Sequence, residues 1–271
     1  MKQIAKSRPQ SLSDYVESLQ ARGYYTFVRR DAQGALSATD TAFKFAANRL
    51  AKKGRIVSPR RGFFVIVPAE YKLAGAPPAT WFIEELMKFQ GMPYYVGLLS
   101  ASALHGAAHQ QPQEFQVVTS APLRPIRVGR EKIKFFTKKK IARTPTENIK
   151  GATGFFPAST PEATAFDLVR YSSSAGYLGN VATILGELRE KISPARLVAV
   201  AKLEGELAGA QRLGYLLDYL KSGKLTSELH KWLKHHGPSY VPLVPTRKLE
   251  GSPERDSKWA IVVNEEIEVD Q

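Results

Sequence analysis

Residues 40–67 hold two hydrophobic periods back to back. From Asp40 to Lys53 the apolar residues Phe43, Ala46, Ala47 and Leu50 fall at i, i+3, i+4 and i+7, the spacing of a helix that buries one stripe, and Gly54 closes the run. The chain then switches to "RIVSPRRGFFVIVP", two short β-branched and aromatic runs around Pro59-Arg60-Arg61-Gly62. That is a hairpin signal with two guanidinium groups at its tip. A one-sided helix needs other apolar stripes to pack on, and they lie upstream. Leu12, Tyr15, Val16 and Leu19 line one face of a helix over residues 11–22, capped by Ser11 and ended by Gly23, and a shorter helix is predicted from about Val28 to Leu36 despite Gly34. Three helices followed by a basic hairpin predict a winged helix-turn-helix, with the helix from about Asp40 offered to the major groove.

The face opposite the buried stripe of that helix carries Thr41, Phe45, Asn48 and Lys52, flanked by Lys44 and Arg49. Ser37 and Thr39 sit in the "SATDT" turn before it, and with Arg60 and Arg61 of the hairpin they complete the candidate DNA-binding set. Thr41, Lys44 and Asn48 are the expected readers of sequence, because side-chain donors and acceptors pair with base edges, and Phe45 suits a thymine methyl. Arg60 and Arg61 suit phosphates or the minor groove, which set affinity and register. Two other readings stay open here: a protein-interaction module on the same scaffold, and Phe45 packed against the following domain.

Charge favours nucleic acid as the partner. The net charge is +14, and residues 1–61 hold 13 Lys and Arg against 4 Asp and Glu. A second basic stretch runs from Arg124 to Arg143, where Glu131 is the one opposing acid. Its candidate patch is Arg124, Arg127, Lys138, Lys139 and Lys140, with the lysine run expected on a solvated loop. The end of the chain, "NEEIEVDQ", is acidic instead. There is no cysteine, so disulfides and thiolate-bound metals are excluded. No apolar stretch resembles a signal peptide or a membrane span, so a cytoplasmic protein without membrane contact is expected.

"YKLAGAPPAT" reads as a linker at residues 71–80, dividing a DNA-binding domain at 1–70 from a larger mixed domain at 81–271. Helices are expected at "TWFIEELMKF" and "VGLLSASALHG", strands at "EFQVVT", "PIRVG", "KIKFF" and "TGFFPAS", then a run of helices from "STPEATAFDLVRY" to "TSELHKWLKHH" and a closing strand in "WAIVVNEEIEV". Strands clustered before helices give an α+β class. Ser159 and Glu162 have capping-box spacing, with Pro161 in the first turn.

His105 and His109 are four apart, as in a zinc-binding helix, yet Gly106 stands where the general-base Glu belongs and no third ligand follows at a familiar spacing. Both are expected to be structural. His230, His235 and His236 fall at a basic helix end, where cations complement the macrodipole. Phosphate-loop and G-x-S-x-G patterns are absent. Neither a cofactor nor a metal is expected, and the chain reads as non-enzymatic. The enzymatic alternative is a metal-dependent nuclease or other nucleic-acid enzyme using Glu84, Glu85, Glu114, Glu162 or Asp167; such scattered acids are expected on the surface instead.

The blocks "PYYVGLLSASALHGAAHQQPQEFQVVT", "STPEATAFDLVRY" and "QRLGYLLDYL", preceded by the winged-helix pattern, resemble the AbiEi antitoxins of type IV abortive-infection toxin–antitoxin systems. The similarity spans most of residues 10–236 and weakens after Gly237. It implies a transcriptional repressor whose N-terminal winged helix binds operator inverted repeats in its own promoter, and a C-terminal mixed α/β antitoxin domain. It also implies a role in phage resistance and a nucleotidyltransferase-like toxin whose effect is countered without dependence on a stable complex. An antitoxin that binds its toxin directly is the other alternative.

Overall fold

The structure, a computed structural model, describes residues 9–107, 112–249 and 251–268. Two units emerge: Met1–Pro93 with Pro122–Phe135 and Asn148–Phe156, and Tyr94–Ala121 with Phe136–Glu147 and Pro157–Gln271.

The first unit begins with α1 (Leu12–Gln20), β1 (Thr26–Val28), α2 (Arg29–Leu36), α3 (Asp40–Lys52), β2 (Ile56–Arg60) and β3 (Phe63–Ile66). Ser11 and Asp14 form a reciprocal capping box that starts α1. The three helices stand where the apolar periods put them. Their stripes meet in one core, with Val16, Leu19, Ala32, Phe43, Ala47 and Leu50 buried together with Phe27, Ile56 and Ile66 of the strands. The strands are antiparallel in the order β1-β3-β2. Strand β1, absent from the sequence expectation, completes the winged-helix sheet.

The compact units divide elsewhere than at residues 71–80. Within that stretch Ala76 and Ala79 are buried, short 3-10 turns occupy Ala69–Tyr71 and Ala79–Trp81, and the amide of Ala79 donates to Glu131 at 3.1 Å. The first unit continues through α4 (Ile83–Gln90).

The chain then runs through β4 (Tyr94–Val96), α5 (Leu98–Leu104), β5 (Phe115–Thr119), β6 (Ile126–Val128), β7 (Glu131–Thr137), β8 (Thr146–Lys150) and β9 (Phe155–Ser159). Hydrogen bonding orders these strands β6-β7-β5-β4-β9-β8. The helices α6 (Pro161–Arg170), α7 (Tyr177–Leu188), α8 (Pro194–Glu204), α9 (Leu207–Tyr219) and α10 (Gly223–Lys234) follow, which makes the fold α+β. They bury a large apolar core including Phe166, Leu168, Leu185, Leu197, Leu213 and Leu229. Thr160, not Ser159, caps α6 by accepting the amide of Ala163, and Pro161 takes the first turn as expected.

The segment after Gly237 belongs to the second unit. Its strands β10 (Val241–Pro242), β11 (Glu254–Asp256) and β12 (Ile261–Val263) form a small sheet in the order β10-β12-β11. Trp259 is buried, its indole N–H donating to Asp218 at 2.7 Å, while the Gln211 amide donates to the carbonyls of Ser239, Trp259 and Ala260.

Candidate nucleic-acid interface

Helix α3 enters from a tight turn. Ser37 ends α2 in the left-handed conformation at φ 51°, and Thr39 caps α3 by accepting the amide of Ala42 at 3.2 Å. Asp40 pairs with Arg29 at 3.0 Å and accepts from Gln33 at 2.8 Å. Those contacts pin α2 to the start of α3. The hydrogen bond from Gln33, then the charge of Arg29, hold the Asp40 carboxyl below the usual range, so the one acid at this helix entrance is held ionised and paired.

With Phe43, Ala47 and Leu50 buried, Thr41, Lys44, Asn48, Arg49 and Lys52 are all exposed. Phe45 stands among them at 66% exposure, so within the described chain it is a surface aromatic and not a core residue. Thr41, Lys44, Phe45, Asn48 and Lys52 form one stripe of mixed hydrogen-bonding, cationic and apolar groups, the composition that base edges and thymine methyls can use.

The wing closes with a two-residue turn: Arg60 pairs with Phe63, leaving Arg61 and Gly62 at the tip. Gly62 adopts φ +87°, which disfavours a side chain there, and its carbonyl accepts the amide of Arg29 at 2.8 Å. Arg61 is exposed. Arg60 is half-buried, and its guanidinium donates to the backbone carbonyl of Arg124. Burial lowers the Arg60 pKa, and the neighbouring Arg124 acts in the same direction. The wing and the second basic stretch are therefore joined inside the first unit.

The β6–β7 hairpin carries that stretch. Ile126 and Val128 point inward while Arg127 between them is exposed, and Arg124 and Arg130 are exposed at either end. Its tip rests on residues 74–75. The amide of Arg130 donates to Ala74 at 2.8 Å, and a Cβ on Gly75 would come within 2.9 Å of the Gly129 Cα.

Three sequence expectations change. Lys138 is not on a solvated loop: it is buried, with its ammonium 3.0 Å from Asp167 and 2.5 Å from Glu204. Tyr95 donates to Asp167 at 2.8 Å, and Arg170 pairs with Glu204 at 3.0 Å and with the exposed Glu206 at 2.9 Å, so the buried Lys138, Asp167 and Glu204 are linked through Arg170 to the surface of the second unit. Lys139 and Lys140 are exposed. Glu162 and Asp167 are fully buried instead of lying on the surface, and Glu162 accepts the amide of Ser193 and the Arg196 guanidinium, both at 2.9 Å, instead of closing a capping box.

His105 caps the end of α5 with its ring buried. Nε2 is 2.8 Å from the Ser159 carbonyl and Nδ1 is 3.5 Å from Glu147, while His109 lies outside the described residues. Among the described residues no group of three or more His, Cys, Asp or Glu is arranged to hold a metal, and no helix is long and apolar enough to cross a membrane.

The fold and this basic surface define a winged-helix protein with a second α+β unit. Residues 95–219 match the AbiEi antitoxin C-terminal domain. Over those residues the chain is similar to the AbiEi antitoxins of toxin–antitoxin systems. Its fold is also similar to the crystal structure of the RV2827C protein from Mycobacterium tuberculosis. That match has a TM-score of 0.66 and 18% identity, and covers 95% of this chain and 92% of that chain. No curated protein matches the sequence.

Proposed function

We propose that this chain is the antitoxin of a type IV abortive-infection system, acting in phage resistance, and that it represses its own operon by binding inverted repeats in double-stranded promoter DNA. The observation that carries the proposal is the exposed stripe Thr41, Lys44, Phe45, Asn48 and Lys52 on α3. In this reading α3 enters the major groove, Thr41, Lys44 and Asn48 read bases, and Arg49 and Arg61 contact phosphates. Ser37 and Thr39 lie at the helix entrance, and Arg124 and Arg127 extend the wing along the backbone. Lys139 and Lys140 are further cations available to an anionic partner. Residues 1–70 form the DNA-binding domain, and the larger domain supplies antitoxicity toward a nucleotidyltransferase-like toxin without requiring a stable complex with it. The chain acts in the cytoplasm and performs no catalysis of its own.

Fluorescence anisotropy with duplexes from its own promoter tests the proposal. The native inverted repeats should bind well ahead of scrambled duplex of the same composition, and the affinity should fall steeply with salt as condensed counterions are released. Equal affinity for both duplexes, or an affinity indifferent to salt, rejects it.

A further inference from the structure

A recess of about 600 Å³ opens in the first unit, between the turn after α1, the exposed side of α4 and the loop before β9. Its chemistry is the opposite of the α3 surface. Three aromatic rings on its rim, Tyr24, Phe89 and Phe155, are 59, 41 and 60% exposed, and Tyr25 and Trp81 meet edge to face at 4.8 Å in its wall. Asp31, Glu84 and Glu85 line it, against the single cation Lys88. In a chain of net charge +14 this recess is locally acidic.

Carboxylates and the negative faces of aromatic rings both attract cations and repel phosphate. The chain's own cations already take up this chemistry. Lys88 lies 3.3 Å from Glu84 and 3.0 Å from Glu85, and Arg22 sits over the Tyr24 ring at 5.4 Å from its centroid. The Lys88 side chain is 60% exposed, and an ion pair that wet is weak enough to be displaced by an incoming cation. The mixture of rim aromatics and acids also suits a chain with apolar residues beside its charges better than a free ion.

We propose that this groove docks a lysine- or arginine-bearing segment of a partner protein. Charge complementarity selects that occupant over nucleic acid. The proposal goes beyond the DNA-binding reading and stands or falls separately from it.

The test uses the full-length protein and labelled ten-residue peptides at physiological salt: alternating Arg-Leu, alternating Lys-Leu and alternating Glu-Leu. Fluorescence anisotropy should show at least one cationic peptide binding tenfold or more tightly than the Glu-Leu peptide. Binding should weaken at least fivefold in the Glu84→Gln/Glu85→Gln variant and in Phe155→Ala. It should tighten in Lys88→Ala, which removes the internal competitor. Thermal melts and promoter-DNA binding should be unchanged in all three, which separates this groove from the proposed DNA surface. Absence of cationic-peptide binding, equal binding of the Glu-Leu peptide, or variants that bind like the parent protein overturns the proposal. So does a dimer in sedimentation that the double variant dissolves, which would assign the groove to a second copy of the chain.

Discussion

Arg127 and Lys132 stand directly opposite each other across the β6–β7 ladder, two cations on facing strands. Like charges in register weaken a strand pair, by an amount within the roughly 0.2–1 kcal/mol span of cross-strand effects, unless an anion lies between them. The arrangement makes sense on a surface that meets phosphates. Arg127→Ala should therefore raise the melting temperature of the free protein slightly at low salt while weakening its hold on any duplex. Melting curves paired with anisotropy check both halves. Loss of stability with unchanged DNA binding would show that Arg127 serves the hairpin and not a polyanion.

The α3 stripe and the wing tip should fail in different ways when altered. Asn48→Ala or Lys44→Ala removes a base-edge partner, and a good bidentate pair is worth about 1–3 kcal/mol of discrimination, so the preference for operator over scrambled duplex should shrink about tenfold or more. Arg61→Ala removes a sequence-independent contact. It should weaken both duplexes alike and reduce the slope of log affinity against log salt by about 0.9. Titrations at several salt concentrations separate the outcomes, and a loss of discrimination in Arg61→Ala equal to that in Asn48→Ala would reverse the assigned roles.

The winged helix was legible because its signals are local. Apolar stripes on three helices and the Pro-Arg-Arg-Gly turn each specify an element without help from the rest of the chain. Strand β1 was missed because three residues, Thr26–Val28, are too few to show alternation, and β8 because "TENIK" is largely exposed and carries no apolar pattern. Lys138 misled for another reason. In sequence it heads a lysine run, and nothing near it announces that Asp167 and Glu204, 29 and 66 residues later, bury its charge. The aromatic–acidic groove was invisible likewise: Tyr24, Phe89 and Phe155 come together only through the fold.

Trp259 locks the segment after Gly237 onto α9 through a glycine. A Cβ on Gly214 would collide with the Trp259 ring, so the close approach of helix and indole depends on the missing side chain. Gly214→Ala gains helix propensity of up to about 1 kcal/mol and still should destabilise, because overpacking a filled core costs about 1–3 kcal/mol. Trp259→Ala should cost more, about 3–5 kcal/mol, and leave Asp218 without the indole N–H it accepts. Urea denaturation measures both. A neutral or stabilising Gly214→Ala would mean that the C-terminal segment can shift aside.

The Lys138 network predicts a pH dependence whose sign follows from burial. Burial pushes the Asp167 carboxyl above its ordinary range, while the charge of Lys138 and the hydrogen bond from Tyr95 only partly restrain it. A carboxyl whose folded pKa is raised binds its proton more tightly in the native state. Its contribution to stability is present at acid pH and is lost as pH rises through the folded pKa. Lys138→Met removes the main restraining cation and leaves Asp167 and Glu204 facing each other across the vacated position, with Arg170 shared between Glu204 and Glu206. Breaking a buried pair in this way costs about 3–5 kcal/mol at neutral pH. With Asp167 shifted further upward, the variant should recover part of that loss as the pH falls from neutral toward acid, and the parent protein should recover less. Urea midpoints across this range decide the matter. A deficit of the same size at both ends would mean that Asp167 keeps its charge without Lys138, held by Tyr95 and the surrounding dipoles.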